Sequence, residues 1–197
     1  MSMYKIVRWA TYATVKLMFP FRIVNKKQAL QTPCVIVANH LSNCDAFIVG
    51  AAFKKRVYAL TKKESFTSKA KSWFLRTLGG IPIDRDNPDP GTIINCVRLL
   101  KGGDSIIIFP EGTRNTTDQK LLPFKSGAAL FAVKAKVPIQ PIFIDGKSRF
   151  LKRNHVIVGK AFTLEEYYGK RLNEDMLKQI DEQIKNSLLK TAELPVK

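Results

Sequence analysis

Val35-Ile36-Val37-Ala38-Asn39-His40-Leu41-Ser42-Asn43-Cys44-Asp45 is the stretch on which the reading of this chain turns. Its first four residues form an unbroken apolar run with three β-branched side chains, the pattern of a buried strand. After the polar residues, Ala46 to Phe53 is apolar enough to be a helix. His40 and Asp45 lie between. On one continuous helix, five residues turn by about 500°, which sets the two side chains roughly 140° apart. They meet only if His40 lies in a turn and Asp45 in the first turn of the next helix, with Ser42 and Asn43 as suitable caps. A carboxylate on one ring nitrogen fixes the tautomer and leaves the other nitrogen as a base near neutral pH. Alone, the pair fits a capping aspartate beside a loop histidine equally well.

Working outward, the same alternation continues. Strands are expected at Cys34–Ala38, Val57–Leu60, Ser105–Phe109, Pro138–Ile144 and His155–Val158, with a short extended piece at Ile81-Pro82-Ile83. Helices are expected at Ala46–Phe53, Ser68–Leu78, Thr92–Lys101, Gly127–Lys136 and Asn173–Leu189, the third closed by Gly102-Gly103. The prolines of Pro138–Ile144 argue for an irregular or edge strand. Strands alternating with helices predict an α/β domain with a mostly parallel central sheet flanked by helices.

Residues 3 to 19 are different. Tyr4, Val7 and Trp9 or Ala10 recur at helical spacing, as do Tyr12, Val15 and Phe19, interleaved with Lys5, Arg8 and Lys16. The uninterrupted apolar run is far shorter than the ~20 residues a membrane span needs. Lys16 also breaks the apolar region a signal peptide would require. An N-terminal amphipathic helix at a membrane interface fits, with basic residues at headgroup level. The alternative is a stripe packed on the core. The chain is expected to divide into an amphipathic membrane-association segment over 1–25 and a single α/β domain over 26–197.

With 33 basic and 16 acidic residues, the net charge of +17 favours polyanionic partners: nucleic acid, anionic lipid headgroups or phosphorylated substrates. No helix-turn-helix, zinc-knuckle or aromatic-basic strand motif supports nucleic acid. Cys34, Cys44 and Cys96 are odd in number and lack metal-type spacing, as in a reduced cytosolic chain with no metal site.

Two further loops carry chemistry. Phe109-Pro110-Glu111-Gly112-Thr113-Arg114 leaves the carboxyl end of the most apolar strand, where α/β sheets place ligands. Gly79-Gly80-Ile81-Pro82-Ile83-Asp84-Arg85 is a second glycine turn ending in arginine, whose guanidinium fork suits phosphate. Lys125-Ser126-Gly127 opens a helix whose N–H groups favour an anion.

In this order the blocks resemble the glycerolipid acyltransferases. His40 and Asp45 match the family's His-four-residues-Asp motif, Gly80–Arg85 its second block, Phe109–Arg114 its third, and Val137-Pro138-Ile139-Gln140-Pro141-Ile142 its proline-containing fourth. Within the family the resemblance is closest to the bacterial 1-acylglycerol-3-phosphate (lysophosphatidic acid) acyltransferases. It implies transfer of a fatty acyl group from an acyl thioester to lysophosphatidic acid. His40 would be the general base and Asp45 its orienting carboxylate. Substrate would be bound by Arg85, Glu111, Gly112, Thr113, Arg114 and Lys125. Glu111 would position an arginine or the glycerol hydroxyl. The resemblance implies no metal or other cofactor beyond acyl-CoA or acyl carrier protein as co-substrate. It also implies a hydrophobic tunnel near His40, and peripheral association with anionic lipid on the cytoplasmic face of the membrane. Another lysophospholipid as acceptor, or a basic surface-binding module, stays open at this level.

Overall fold

The computed structural model describes residues 3–84, 89–125, 127–146, 151 and 153–196, with the side chains of residues 3 and 4 outside that set. Helix α1 (Met3–Met18) leads into strand β1 (Phe21–Val24). Then follow β2 (Val35–Ala38), α2 (Asp45–Gly50), β3 (Val57–Lys62), α3 (Lys69–Thr77) and β4 (Gly80–Ile83). The chain continues through α4 (Pro90–Lys101), β5 (Ser105–Ile108), α5 (Gly127–Ala135), β6 (Ile139–Asp145), β7 (Asn154–Val158) and α6 (Glu174–Ala192).

The strands form one sheet in the order β1-β7-β6-β2-β5-β3-β4. Every neighbouring pair is parallel except β6 with β7. β2 and β5 are buried along their whole length, because helices cover both sheet faces. Val35, Val37, Ile106 and Ile108 join Leu100 of α4, Phe131 of α5 and Ile184 of α6 on one face. Ile36, Ala38 and Ile107 pack with Ile48 and Val49 of α2 on the other, where Tyr12 and Val15 of α1 also dock. Side-chain caps set several helix starts: Ser68 accepts from Lys71 N, Asp89 from Thr92 N, and Asn173 from Met176 N.

Three expectations change. β6 is an interior strand between β2 and β7, despite Pro141. The missing N–H of Pro141 leaves Gly159 O short of a ladder donor, and the neighbouring Gln140 Nε2 supplies it at 2.7 Å. Gly159 N still donates to Pro141 O at 3.0 Å. β1, which sequence periodicity did not mark, forms an edge of the sheet beside β7. The α1 stripe also divides: Tyr12 and Val15 pack on the core, whereas Trp9 is 71% exposed and Leu17 76%. Arg8 is turned inward, Nη1 donating to Lys54 O at 3.0 Å and Nη2 to Phe53 O, just beyond the C-terminus of α2. Among the described residues, no helix is long and apolar enough to cross a membrane.

Candidate active site

The carboxyl ends of β2 and β5 build the site. Asn39 leaves β2 fully buried and clasps the end of β6: Ile144 N donates to Asn39 Oδ1 at 2.7 Å and Asn39 Nδ2 to Ile144 O at 3.0 Å. This anchors the first residue of the loop that carries His40.

His40 Nδ1 lies 2.9 Å from Asp45 Oδ2. Asp45 is the first residue of α2 and fully buried. Its Oδ2 also accepts from Leu41 N at 2.6 Å and Ser42 N at 2.7 Å, and its Oδ1 from Ser42 Oγ at 2.7 Å. The expected capping is therefore reversed. Ser42 and Asn43 do not cap α2; Cys44 occupies that position without a side-chain bond, and Asp45 instead gathers the loop before it. A carboxylate surrounded by donors offers the ring only an acceptor, so Nδ1–H donates and Nε2 keeps its lone pair.

The ring of His40 stacks on Phe109, with centroids 4.2 Å apart and planes inclined by 19°. Its main chain is tied to the loop after β5. His40 N donates to Glu111 Oε1 at 2.8 Å, and Asn115 N to His40 O at 2.7 Å. Glu111 Oε2 takes Leu122 N at 2.9 Å. Glu111 is 3% exposed, with both oxygens on backbone donors. Burial pushes its carboxyl above the usual range, although the N–H groups of Leu122 and His40 draw it back down. In this arrangement Glu111 braces the His40 loop.

Gly112 turns the loop at φ +67°, and its N–H donates to Phe109 O at 3.0 Å. A Cβ there would meet Lys125 Cδ at 3.1 Å, since the Lys125 stem lies across the glycine. Lys125 N in turn donates to Pro110 O at 2.8 Å. Thr113 and Arg114 are exposed on the same loop. The structure thus gathers His40, Asp45, Glu111, Gly112 and Lys125 around one loop pair. Arg85 lies outside the described residues.

The cysteines stay thiols at neutral pH. Burial pushes Cys34 and Cys96 up to about 11, and burial together with the Asp45 charge raises Cys44. Among the described residues, no group of three or more His, Cys, Asp or Glu side chains is placed to hold a metal ion.

Beside Phe109 opens a cavity of about 280 Å³ between β3, β4, α4 and α5. Leu60, Ile83, Ile93, Leu130 and Phe131 make its wall apolar, and Gly112 and Lys125 also line it.

Two contributors escaped the sequence reading. Phe109 passed as an ordinary strand residue. Asn115 is buried and folds its own turn, Oδ1 accepting from Thr117 N at 2.9 Å and Thr117 Oγ1 at 2.8 Å. An Asn-Thr-Thr run after a glycine loop is a signal for such a turn.

Known proteins match this framework. A crystal structure of the 1-acyl-sn-glycerophosphate (LPA) acyltransferase from Thermotoga maritima shares the fold with a TM-score of 0.71 at 23% identity, covering 98% of this chain and 81% of that one. A Bacillus subtilis protein named 1-acyl-sn-glycerol-3-phosphate acyltransferase is 32% identical over 148 residues, 74% of this chain and 73% of that protein. A Streptococcus pneumoniae protein of the same name is 39% identical over 114 residues, 57% of this chain but 41% of the relative. The Acyltransferase family model spans residues 21–145, from the start of β1 to the end of β6. That span holds both loops around His40, and the chain belongs to the acyltransferase family.

Proposed function

We propose that the protein is a 1-acylglycerol-3-phosphate O-acyltransferase, moving a fatty acyl group from an acyl thioester to the free sn-2 hydroxyl of lysophosphatidic acid to give phosphatidic acid. The observation that carries the reading is the His40–Asp45 pair beside an apolar cavity through Phe109. The names of the relatives supply the acceptor.

In this reaction His40 Nε2 takes the hydroxyl proton as the oxygen attacks the thioester carbonyl. The tetrahedral intermediate collapses with loss of the thiolate, which the imidazolium reprotonates. Asp45 holds the ring and stabilises its charged form. The cavity takes the acyl chain, with Phe109 joining it to the base. A smaller apolar cavity of about 80 Å³ on the opposite face is lined by Tyr12, Phe47 and Leu78.

Arg114, with Arg85 and Lys125, binds the acceptor phosphate, while Gly112 and Thr113 shape the loop that presents Arg114. Glu111 serves by bracing His40. The reaction as written consumes no cofactor, and the acyl donor is acyl-CoA or acyl carrier protein, both acidic enough to suit the +17 chain. Thiol release from an acyl thioester should require lysophosphatidic acid and be much weaker with an uncharged or choline-headed lyso-lipid. Arg114→Ala should lower kcat/KM for lysophosphatidic acid by about 10-fold or more, the scale of a charged hydrogen bond. An unchanged value would remove Arg114 from the phosphate site.

Both lipids partition into membrane, and α1 gives the enzyme a peripheral seat on the cytoplasmic face. Within residues 1–25, α1 is the membrane-facing part, whereas β1 belongs to the sheet. Among its described side chains Ile6, Trp9, Leu17 and Met18 are the exposed large apolar ones, with Lys5 and Lys16 also exposed. Replacing Trp9 and Leu17 with serine should reduce sedimentation with anionic vesicles while turnover on micellar substrate persists. Full sedimentation of that variant would remove α1 from the membrane contact.

A further inference from the structure

A second concentration of positive charge lies apart from the His40 loops. Where α1 hands over to β1, a surface pocket of about 470 Å³ is lined by Lys16, Arg22, Lys26 and Arg153, together with Tyr12 and Phe21. Among the described residues, no carboxylate lines it. Its floor is ordered: Tyr12 and Phe21 meet edge to face with centroids 5.9 Å apart, and Lys16 Nζ lies 5.6 Å from the Tyr12 centroid. The segment bearing Arg153 is bound to the end of α1, since Leu151 N donates to Met18 O and Asn154 N to Pro20 O, both at 2.9 Å. Four cations from three separate stretches of chain are thereby held around one opening. Strand register places the nearest sheet carboxylate, Asp145, two strands inward from Arg22, through His155. That is about 10 Å at the usual strand spacing.

Position and surroundings specify the ligand. β1 runs antiparallel to β2 by way of β7 and β6, so its first residues lie along the sheet edge where β2 delivers His40. Leu17 (76% exposed), Met18 (40%) and Leu151 (64%) are bare apolar side chains on the two segments that the Leu151–Met18 main-chain bond joins. Cations around a cleft, on segments that also carry exposed aliphatic side chains, complement a phosphate at headgroup depth with acyl chains alongside.

We propose that this pocket binds the phosphate of one anionic phospholipid of the membrane, separately from the acceptor's phosphate at the active site. The bound lipid fixes how the catalytic edge sits on the bilayer. The proposal rests on the peripheral membrane reading above, but its test needs no turnover.

The experiment is vesicle sedimentation at physiological salt, with phosphatidylcholine vesicles with and without phosphatidylglycerol. The 197-residue chain is compared with an Arg22→Gln/Lys26→Gln/Arg153→Gln variant. A control carries Lys170→Gln/Lys178→Gln/Lys190→Gln, which removes the same charge from exposed positions away from the pocket. Each basic residue near an anionic surface is worth roughly fivefold, so the pocket variant should lose on the order of 100-fold in affinity for phosphatidylglycerol vesicles. The control should lose little, and thiol release on micellar substrate should persist in both. Equal losses in the two variants would overturn the proposal in favour of diffuse charge, and retained affinity in the pocket variant would overturn it outright. Competition by millimolar glycerol phosphate as effective as that by vesicles would replace the lipid with a free phosphate ester, which also overturns it. If the triple variant does not fold, Arg153→Gln alone, with an expected fivefold loss, carries the same decision. Failure of thiol release in the wild type with vesicle binding intact would sink the acyltransferase reading and leave this one standing.

Discussion

His40→Ala is expected to remove acyl transfer, lowering kcat by about 10²–10⁴-fold, the usual contribution of a positioned general base. Stability should change little. The anchors of the loop at this position are the main-chain groups of His40, bonded to Glu111 and Asn115, and alanine keeps both. Asp45→Asn is expected to behave differently. Its amide keeps one oxygen: placed where Oδ2 lies, it leaves Ser42 Oγ–H facing an NH2 group, and placed the other way it leaves Leu41 N–H, Ser42 N–H and the ring without an acceptor. Leaving a buried donor unpaired costs about 1–3 kcal/mol. Asp45→Asn should therefore lose both turnover and several degrees of Tm, while His40→Ala loses turnover alone. Single-turnover thiol release beside thermal melts separates the two effects. Full turnover by His40→Ala would falsify the proton-transfer role.

The second large effect is expected at Glu111. Glu111→Gln offers one carbonyl oxygen to two N–H groups, those of His40 and Leu122, which the carboxylate satisfies with separate oxygens. A loss of about 1–3 kcal/mol follows, equivalent to roughly 2–12 °C in Tm for a chain of this size. Turnover should fall as well, because the strut holding the backbone of His40 is broken. The pH dependence carries a sign that identifies the residue. Burial raises the Glu111 carboxyl in the folded chain above its unfolded value, so the folded state binds the proton more tightly. The stability from that tighter binding is fully present below the unfolded value, and declines as pH rises through the raised one. In Glu111→Gln that slope is absent, so the Tm gap between wild type and variant should narrow from mildly acid to neutral pH. A gap that widens over this range would contradict the assignment.

The parts of the molecule that sequence revealed share one property: they are encoded by neighbours along the chain. The Val35–Ala38 run, the five-residue separation of His40 from Asp45 and the glycine before Arg114 are all local patterns. The turn-then-helix placement of the histidine and the aspartate followed from helix geometry alone. What stayed hidden depends on residues far apart. Pro141 marked β6 as an edge strand because nothing in the sequence shows Gln140 reaching the carbonyl of Gly159. Phe21–Val24 is too short for its period to register, and only its pairing with β7 makes it a strand. The resemblance implied that Glu111 positions an arginine or the glycerol hydroxyl, and no local pattern showed that it is buried. Its burial follows from two backbone donors supplied by positions 71 residues before it and 11 after it.

Arg8 and Asp45 sit at opposite ends of α2, one beside its last carbonyls and the other in its first turn. A helix of six residues has little stability of its own. Its rigidity is borrowed from these two clamps and from the core beneath. Trimming the chain ahead of β1, an obvious route to a more tractable protein, would therefore not yield an intact catalyst that merely floats free of lipid. It would take away the clamp at the far end of the helix that aims the carboxylate, and the alignment of the base would loosen with it. Loss of turnover after such a truncation would say nothing by itself about membranes, and surface substitutions on α1 that leave Arg8 in place are the sound way to ask that question.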